Sequence, residues 1–264
     1  MKKLTFIFSF IILIGYSTTL HAQQSIDAGA IDNYLTSIYK KFSDNRHDYG
    51  GSYGEARDTI LIRFQNTLAE TLRKESFLNV KYDSLSEYMR IIASEDDKLK
   101  IISWDEFNGG TWHVYNSMYQ YKVNNELAVG FLTTKTDDQY STDHTEVYHY
   151  QIQLIDKDKY LAKAYGTHGS GKEFYVFRLL SFRDGVLKDC DGCFNGDDQF
   201  IYEITRGHDE LIPQYNSETK EIAYHELAEG YIDGDLDSPS GFMKATGKIL
   251  KLRYENGAFI PLEK

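Results

Sequence analysis

Glu95-Asp96-Asp97-Lys98 followed by Leu99-Lys100-Ile101-Ile102-Ser103-Trp104 reads as an acidic turn, a lysine and then a strand. The same order returns in Asp156-Lys157-Asp158-Lys159 before Tyr160 to Tyr165, and in Ser217-Glu218-Thr219-Lys220 before Glu221 to Glu226. Lys98, Lys159 and Lys220 stand at equal intervals along the chain. From about Met89 onward, short strand-like runs are separated by turn signals such as Asn124-Asn125, Asp184-Gly185 and Asn256-Gly257. This pattern predicts one or two twisted antiparallel sheets. The alternative is a small or partial β-propeller-like repeat of hairpins, although three units fall short of the four or more blades of a closed propeller. Three ordinary hairpins at chance spacing also satisfy the pattern.

Upstream the periodicity differs. Ile31, Tyr34, Leu35, Ile38, Tyr39 and Phe42 recur at helical steps behind a candidate N-cap, Ser25. After a loop from Asp44 to Gly54, a second helical face carries Ile60, Leu61, Phe64, Leu68 and Leu72. Helices first and strands afterwards indicate an α+β protein, an N-terminal helical pair followed by predominantly antiparallel β-sheet. The boundaries read as 23–88 for the helical segment and 89–264 for the β-rich region, packed together as one domain.

Met1-Lys2-Lys3, the apolar run Leu4 to Ile14 and the polar end Leu20-His21-Ala22-Gln23 have the order of a cleaved signal peptide, residues 1–22. The apolar run is too short to span a bilayer, so no membrane span is expected after processing. The expected location is periplasmic or secreted. The 264 residues include 29 Lys+Arg and 40 Asp+Glu, a formal charge of -11. Losing Lys2 and Lys3 makes the remainder more acidic still. Such a surface argues against nucleic acid, whose phosphates require a positive face. With 41% hydrophobic residues, 21 Tyr, 15 Phe and only 3 Pro, the chain has the makings of a packed, β-leaning core.

The block Ser103-Trp104-Asp105, Gly109-Gly110-Thr111-Trp112-His113 and Tyr119-Gln120-Tyr121, with the Leu-His-Ala-Gln end of the leader, resembles exported proteins of the Bacteroidota that carry a similar Ser-Trp-Asp and Gly-Gly-Thr block. The match covers about a tenth of the chain. The resemblance implies a compartment and no chemistry.

Two-residue alternation across Thr111 to Lys122 puts His113, Tyr115, Tyr119 and Tyr121 on one face. If that face is open, its rings and hydroxyls suit a glycan or a protein ligand, with Trp104 and Asp105 near the same edge. Buried, the same tyrosines are simply core. Asp233, Asp235 and Asp237 alternate as in a calcium loop, and the turn containing Asp189, Asp191, Asn195, Asp197 and Asp198 is similarly oxygen-rich. Ser238 and Lys244 depart from the EF-hand pattern, so Ca²⁺ is the one cofactor admitted and none is required. Cys190 and Cys193, the only cysteines, read as a local disulfide bracing a turn.

Complete catalytic motifs are missing. Gly50-Gly51-Ser52-Tyr53-Gly54 has the spacing of a hydrolase nucleophile elbow but lacks the preceding strand. Gly166 to Lys172 has the spacing of a phosphate loop, yet Glu173 replaces the hydroxyl and a strand follows. His113, His144, His149, His168, His208 and His225 are scattered. The reading is therefore an exported binding or interaction module, with the question of catalysis left open and leaning against an enzyme. The alternative is a periplasmic hydrolase that uses loop Asp, Glu and His residues.

Overall fold

The computed structural model describes residues 28–44, 54–107, 111–123, 126–132, 147–169, 171–232 and 235–262. The leader 1–22, Ser25, the serine of the elbow-like run and His144 lie outside them. By its internal contacts the chain divides into two compact units, Met1–Tyr88 and Met89–Lys264.

The first unit holds helices α1 (28–44) and α2 (Gly54–Leu72). Leu35, Ile38, Tyr39 and Phe42 on α1 and Ile60, Phe64, Leu68 and Leu72 on α2 are buried. The Tyr39 and Phe64 rings meet at 5.2 Å. Tyr34, expected on the same face, is exposed. A residue adjacent to buried Leu35 is rotated about 100° around the helix and leaves the apolar stripe. Buried Asp32 accepts hydrogen bonds from the Ser84 and Leu85 amides at 2.9 and 3.0 Å, tying α1 to the short turn Leu85–Glu87.

The second unit consists of three antiparallel sheets. Sheet A is β1 (Arg90–Ala93), β2 (Leu99–Asp105), β3 (Tyr115–Val123) and β4 (Glu126–Phe131), in that order. Sheet B is β5 (Tyr148–Asp156), β6 (Lys159–His168), β7 (Lys172–Arg183) and β8 (Val186–Asp189). Its fifth strand, β9 (Gln199–Thr205), pairs with the first half of β7. Sheet C is β10 (Gln214–Asn216), β11 (Glu221–Ile232), β12 (Asp235–Glu255) and β13 (Ala258–Pro261). The helical pair followed by antiparallel sheet is thus the observed fold, with three sheets where one or two were expected.

The reason lies in the faces of sheet B. Tyr160, Ala162 and Leu180 pack with Leu99, Ile101, Tyr119 and Tyr121 of sheet A. Leu161, Phe177 and Leu179, alternating with them, pack with Ile222, Leu252, Tyr254 and Phe259 of sheet C. A strand apolar on both faces must be covered twice, so the sheets stack A on B on C. Glu221, screened by Lys251 and Arg253 at 2.9 and 3.0 Å, belongs to the charged outer side of sheet C.

The evenly spaced lysines fall at the first hairpin of each sheet. Asp97, Asp158 and Lys220 adopt left-handed backbone there, as tight turns demand. Each lysine reaches into a neighbouring sheet. Lys98 Nζ donates to Asp158 Oδ1 at 3.2 Å, Lys159 to the Gly257 carbonyl at 3.3 Å and Lys220 to the Ile155 carbonyl at 2.8 Å. The repeated lysine is a register clamp between sheets.

Cys190 and Cys193 form a disulfide, their Cα atoms 5.6 Å apart. The turn it closes bridges two sheets. Cys190 N donates to Leu179 O of sheet B at 2.8 Å, while Phe259 N of sheet C donates to Cys193 O at 2.6 Å. Phe194 stacks on Phe259 at 5.0 Å.

Candidate functional site

Where β2 ends, the Asp105 carboxylate turns back on its own chain. Oδ1 accepts the Phe107 amide at 2.6 Å, and Phe107 takes a left-handed φ of 51°. Glu106 N donates to Val114 O at 2.8 Å, closing the base of the loop. Because Asp105 is paired with Tyr115 in the sheet, His113 two residues earlier comes back over Asp105. His113 Nδ1 lies 2.7 Å from Asp105 Oδ2. An ionised carboxylate can only accept, so Nδ1 carries the hydrogen. His113 Nε2 makes no hydrogen bond among the described residues.

The His113 ring stacks on Tyr115 at 5.6 Å. Tyr115 in turn meets Tyr148 and Tyr165 edge-on at 5.4 and 5.5 Å. Burial, reinforced by neighbouring Tyr165, pushes the Tyr148 hydroxyl up to about 12 and Tyr115 higher. These phenols remain neutral and serve as rigid packing behind the imidazole. The His113 amide donates to Thr167 Oγ1 at 2.8 Å, joining the loop to the end of β6.

Next to Thr167 a second carboxylate holds a second imidazole. His168 Nδ1 is 3.1 Å from Glu203 Oε2, and Lys172 Nζ is 3.1 Å from Glu203 Oε1. Trp112, next to His113 in the chain, is 48% exposed and lies 6.0 Å from the His168 ring. The Arg206 guanidinium donates to the Thr111 carbonyl at 3.4 Å. The corner therefore presents one open indole within a collar of oriented polar groups.

Of the residues singled out in the sequence, Asp105, His113 and Tyr115 come together here. The other three do not. Trp104 is wholly buried, because consecutive strand residues point to opposite faces and it cannot share Asp105's side. Tyr119 and Tyr121 are 3% exposed and belong to the A–B core, where Tyr121 stacks on Phe182 at 4.8 Å and Tyr119 Oη accepts the Leu187 amide at 3.2 Å. Tyr115 is only 8% exposed. The open tyrosine face on which ligand binding rested is thus corrected to a core face, since sheet B covers it. Trp112, Thr167, His168, Lys172, Glu203 and Arg206 were not picked out as a site. Lys172 appeared only within the phosphate-loop-like run, which forms the β6–β7 hairpin, and His168 there and among the scattered histidines.

Asp233 and the side chains of Asp235 and Asp237 lie outside the described residues. In the other oxygen-rich turn two of the carboxylates are committed to protein donors: Asp189 to Arg178 at 2.8 and 2.7 Å, and Asp198 to the Gly192 amide at 2.7 Å. No cluster of three or more His, Cys, Asp or Glu side chains placed to hold a metal occurs among the described residues.

A serine and a histidine also meet elsewhere. Ser117 Oγ lies 2.9 Å from His149 Nδ1, Ser103 Oγ 2.7 Å from Ser117 Oγ, and Arg178 NH1 3.1 Å from His149 Nε2. All four residues are shut between sheets A and B, so this chain is internal wiring and no substrate reaches it. No helix among the described residues is long and apolar enough to cross a membrane. Comparison with family models, with curated proteins and with solved structures returned no match to this chain.

Proposed function

We propose that the chain is an exported binding module, acting in the periplasm or outside the cell on a glycan or protein ligand held at the Trp112 corner. The leader-like first 22 residues and a disulfide-braced turn support the compartment. One observation carries the function: Trp112 is half exposed beside imidazoles already fixed by carboxylates, whereas the other tryptophan is buried. Leaving a large ring in water costs free energy that a ligand recovers. The test is retention of the chain from Gln23 onward on immobilised glycans and envelope proteins. Retention is expected to be lost on Trp112→Ala with an unchanged circular dichroism spectrum; equal retention of wild type and variant refutes the assignment.

One observation favours a hydrolase as second reading. Asp105 orients His113 as a general base is oriented, with Nε2 directed to whatever donates a proton. Turnover of chromogenic ester or glycoside substrates, abolished by His113→Gln, would establish it; no turnover by wild type dismisses it.

A further inference from the structure

We infer that the Trp112 corner takes an uncharged sugar ring, a specification that rests on the binding function just proposed. Three observations on the corner support it.

The first is what surrounds the indole. Among the described residues of the segments that form the corner, 105–107, 111–115, 165–169, 171–174 and 203–207, Trp112 alone is a large exposed apolar side chain. A peptide is gripped by an apolar groove or by a row of pockets along a sheet edge. A single flat ring bordered by polar groups instead matches a pyranose, whose C–H face lies on an aromatic plane while its hydroxyls point sideways into a polar rim.

The second is preorganisation. His113 is fixed by Asp105 and by its stack on Tyr115, and its 37% exposed side chain keeps Nε2 within a ligand's reach. His168 is fixed by Glu203, which is itself held by Lys172. Groups locked before the ligand arrives lose little entropy on binding, which matters for hydroxyl partners that gain little over water.

The third is charge. Asp105, Glu106, Glu173 and Glu203 line these segments against Lys172 and Arg206, on a chain of formal charge -11. Lys172 is already paired with Glu203, and Arg206 with the Thr111 carbonyl. A uronic or sulfated glycan meets net repulsion here, and a neutral hexose or N-acetylhexosamine does not.

The two tryptophans supply the assay. Trp104 is buried and Trp112 is open, so acrylamide quenching of intrinsic fluorescence reports on Trp112. The disulfide-intact chain from Gln23 is titrated with cello-, malto-, manno- and chito-oligosaccharides, with alginate and heparin fragments, and with a pool of unstructured peptides. Saturable protection of the indole by at least one neutral oligosaccharide is expected. Measured as retention on the immobilised oligosaccharide, because these variants lack the reporting indole, Trp112→Ala should weaken binding by about tenfold or more, with Trp112→Phe intermediate, as for a ring at the centre of a contact. His113→Ala should weaken it while leaving the thermal midpoint in place. Protection by the anionic fragments alone overturns the charge assignment. Protection by peptides without any neutral sugar overturns the sugar while the binding function stands. Protection by none of the probes overturns the sugar. A ligand retained fully by Trp112→Ala removes both the sugar and the site.

Discussion

His149 accepts a hydrogen bond from the Arg178 guanidinium, Nε2 to NH1 at 3.1 Å, with both side chains sealed from solvent. Arginine only donates, which fixes the tautomer: Nε2 holds the lone pair and Nδ1–H donates to Ser117 Oγ. Ser117 then donates to the Val147 carbonyl at 3.3 Å, and Ser103 donates to Ser117 while accepting the His149 amide at 3.1 Å. Each hydroxyl proton is used once and every member is satisfied. Burial first, and the adjacent Arg178 charge second, hold the imidazole well below its ordinary range, so it stays neutral.

A pH-dependent stability follows from that neutrality. The unfolded imidazole takes up a proton near pH 6.5, while the folded one does not. Stability is therefore full above that value and falls as pH drops below it, by at most about 1.4 kcal/mol per pH unit. Asp96 and Asp156, whose carboxyls hydrogen bonds hold below the usual range, act only at lower pH. Thermal melts between pH 7.5 and 5 should show the slope in wild type and a flatter one in His149→Gln. Identical slopes would remove His149 as its source.

Arg178 is balanced by a two-pronged contact with Asp189. Asp189→Asn should cost about 3–5 kcal/mol, because a buried guanidinium loses its counter-charge. Replacing the pair together, as Arg178→Met with Asp189→Leu, should cost less than the single change. Urea unfolding of the two variants beside wild type measures this, and a double variant less stable than Asp189→Asn contradicts it.

The disulfide turn joins β13 of sheet C to sheet B through the amides of Phe259, Asn195 and Cys190. Closing so short a loop accounts for about 2 kcal/mol by chain entropy. In Cys190→Ser/Cys193→Ser, amide exchange at Phe259 and Asn195 should accelerate more than at Leu99 in sheet A. Equal acceleration at all three sites would mean that the turn does not clasp the sheets.

Gly166 lies opposite Phe174, whose ring covers the space that a Cβ would occupy. Gly166→Ala should displace that ring and cost about 1–3 kcal/mol by overpacking. Since Phe174 also packs on His168 at 4.8 Å, the variant should disturb the Trp112 corner, read as a change in acrylamide quenching. Unchanged stability and unchanged quenching would disprove the contact.

Much of the fold was legible because its causes are local. Leu35 to Phe42 and Ile60 to Leu72 announce helices by spacing, and Asp97, Asp158 and Asn256-Gly257 announce turns by residue type. Lys98, Lys159 and Lys220 even mark the three sheets, though what they clamp is seen only when hairpins 61 residues apart along the chain touch in space. The corner was half legible. Asp105 and His113 are close in sequence and share one hairpin, whereas Thr167, His168 and Glu203 come from sheet B and reach Trp112 only after stacking.

The sequence by itself determined which segments are helix or strand and where they turn, because each depends on a few neighbouring residues, and it offered Cys190 and Cys193 as a candidate pair that the structure joins. Tertiary structure alone decided burial. Alternation tells which strand residues share a face and leaves open what covers it, so Tyr119 and Tyr121 became core when sheet B closed over them. Trp112, by contrast, remained about half in water.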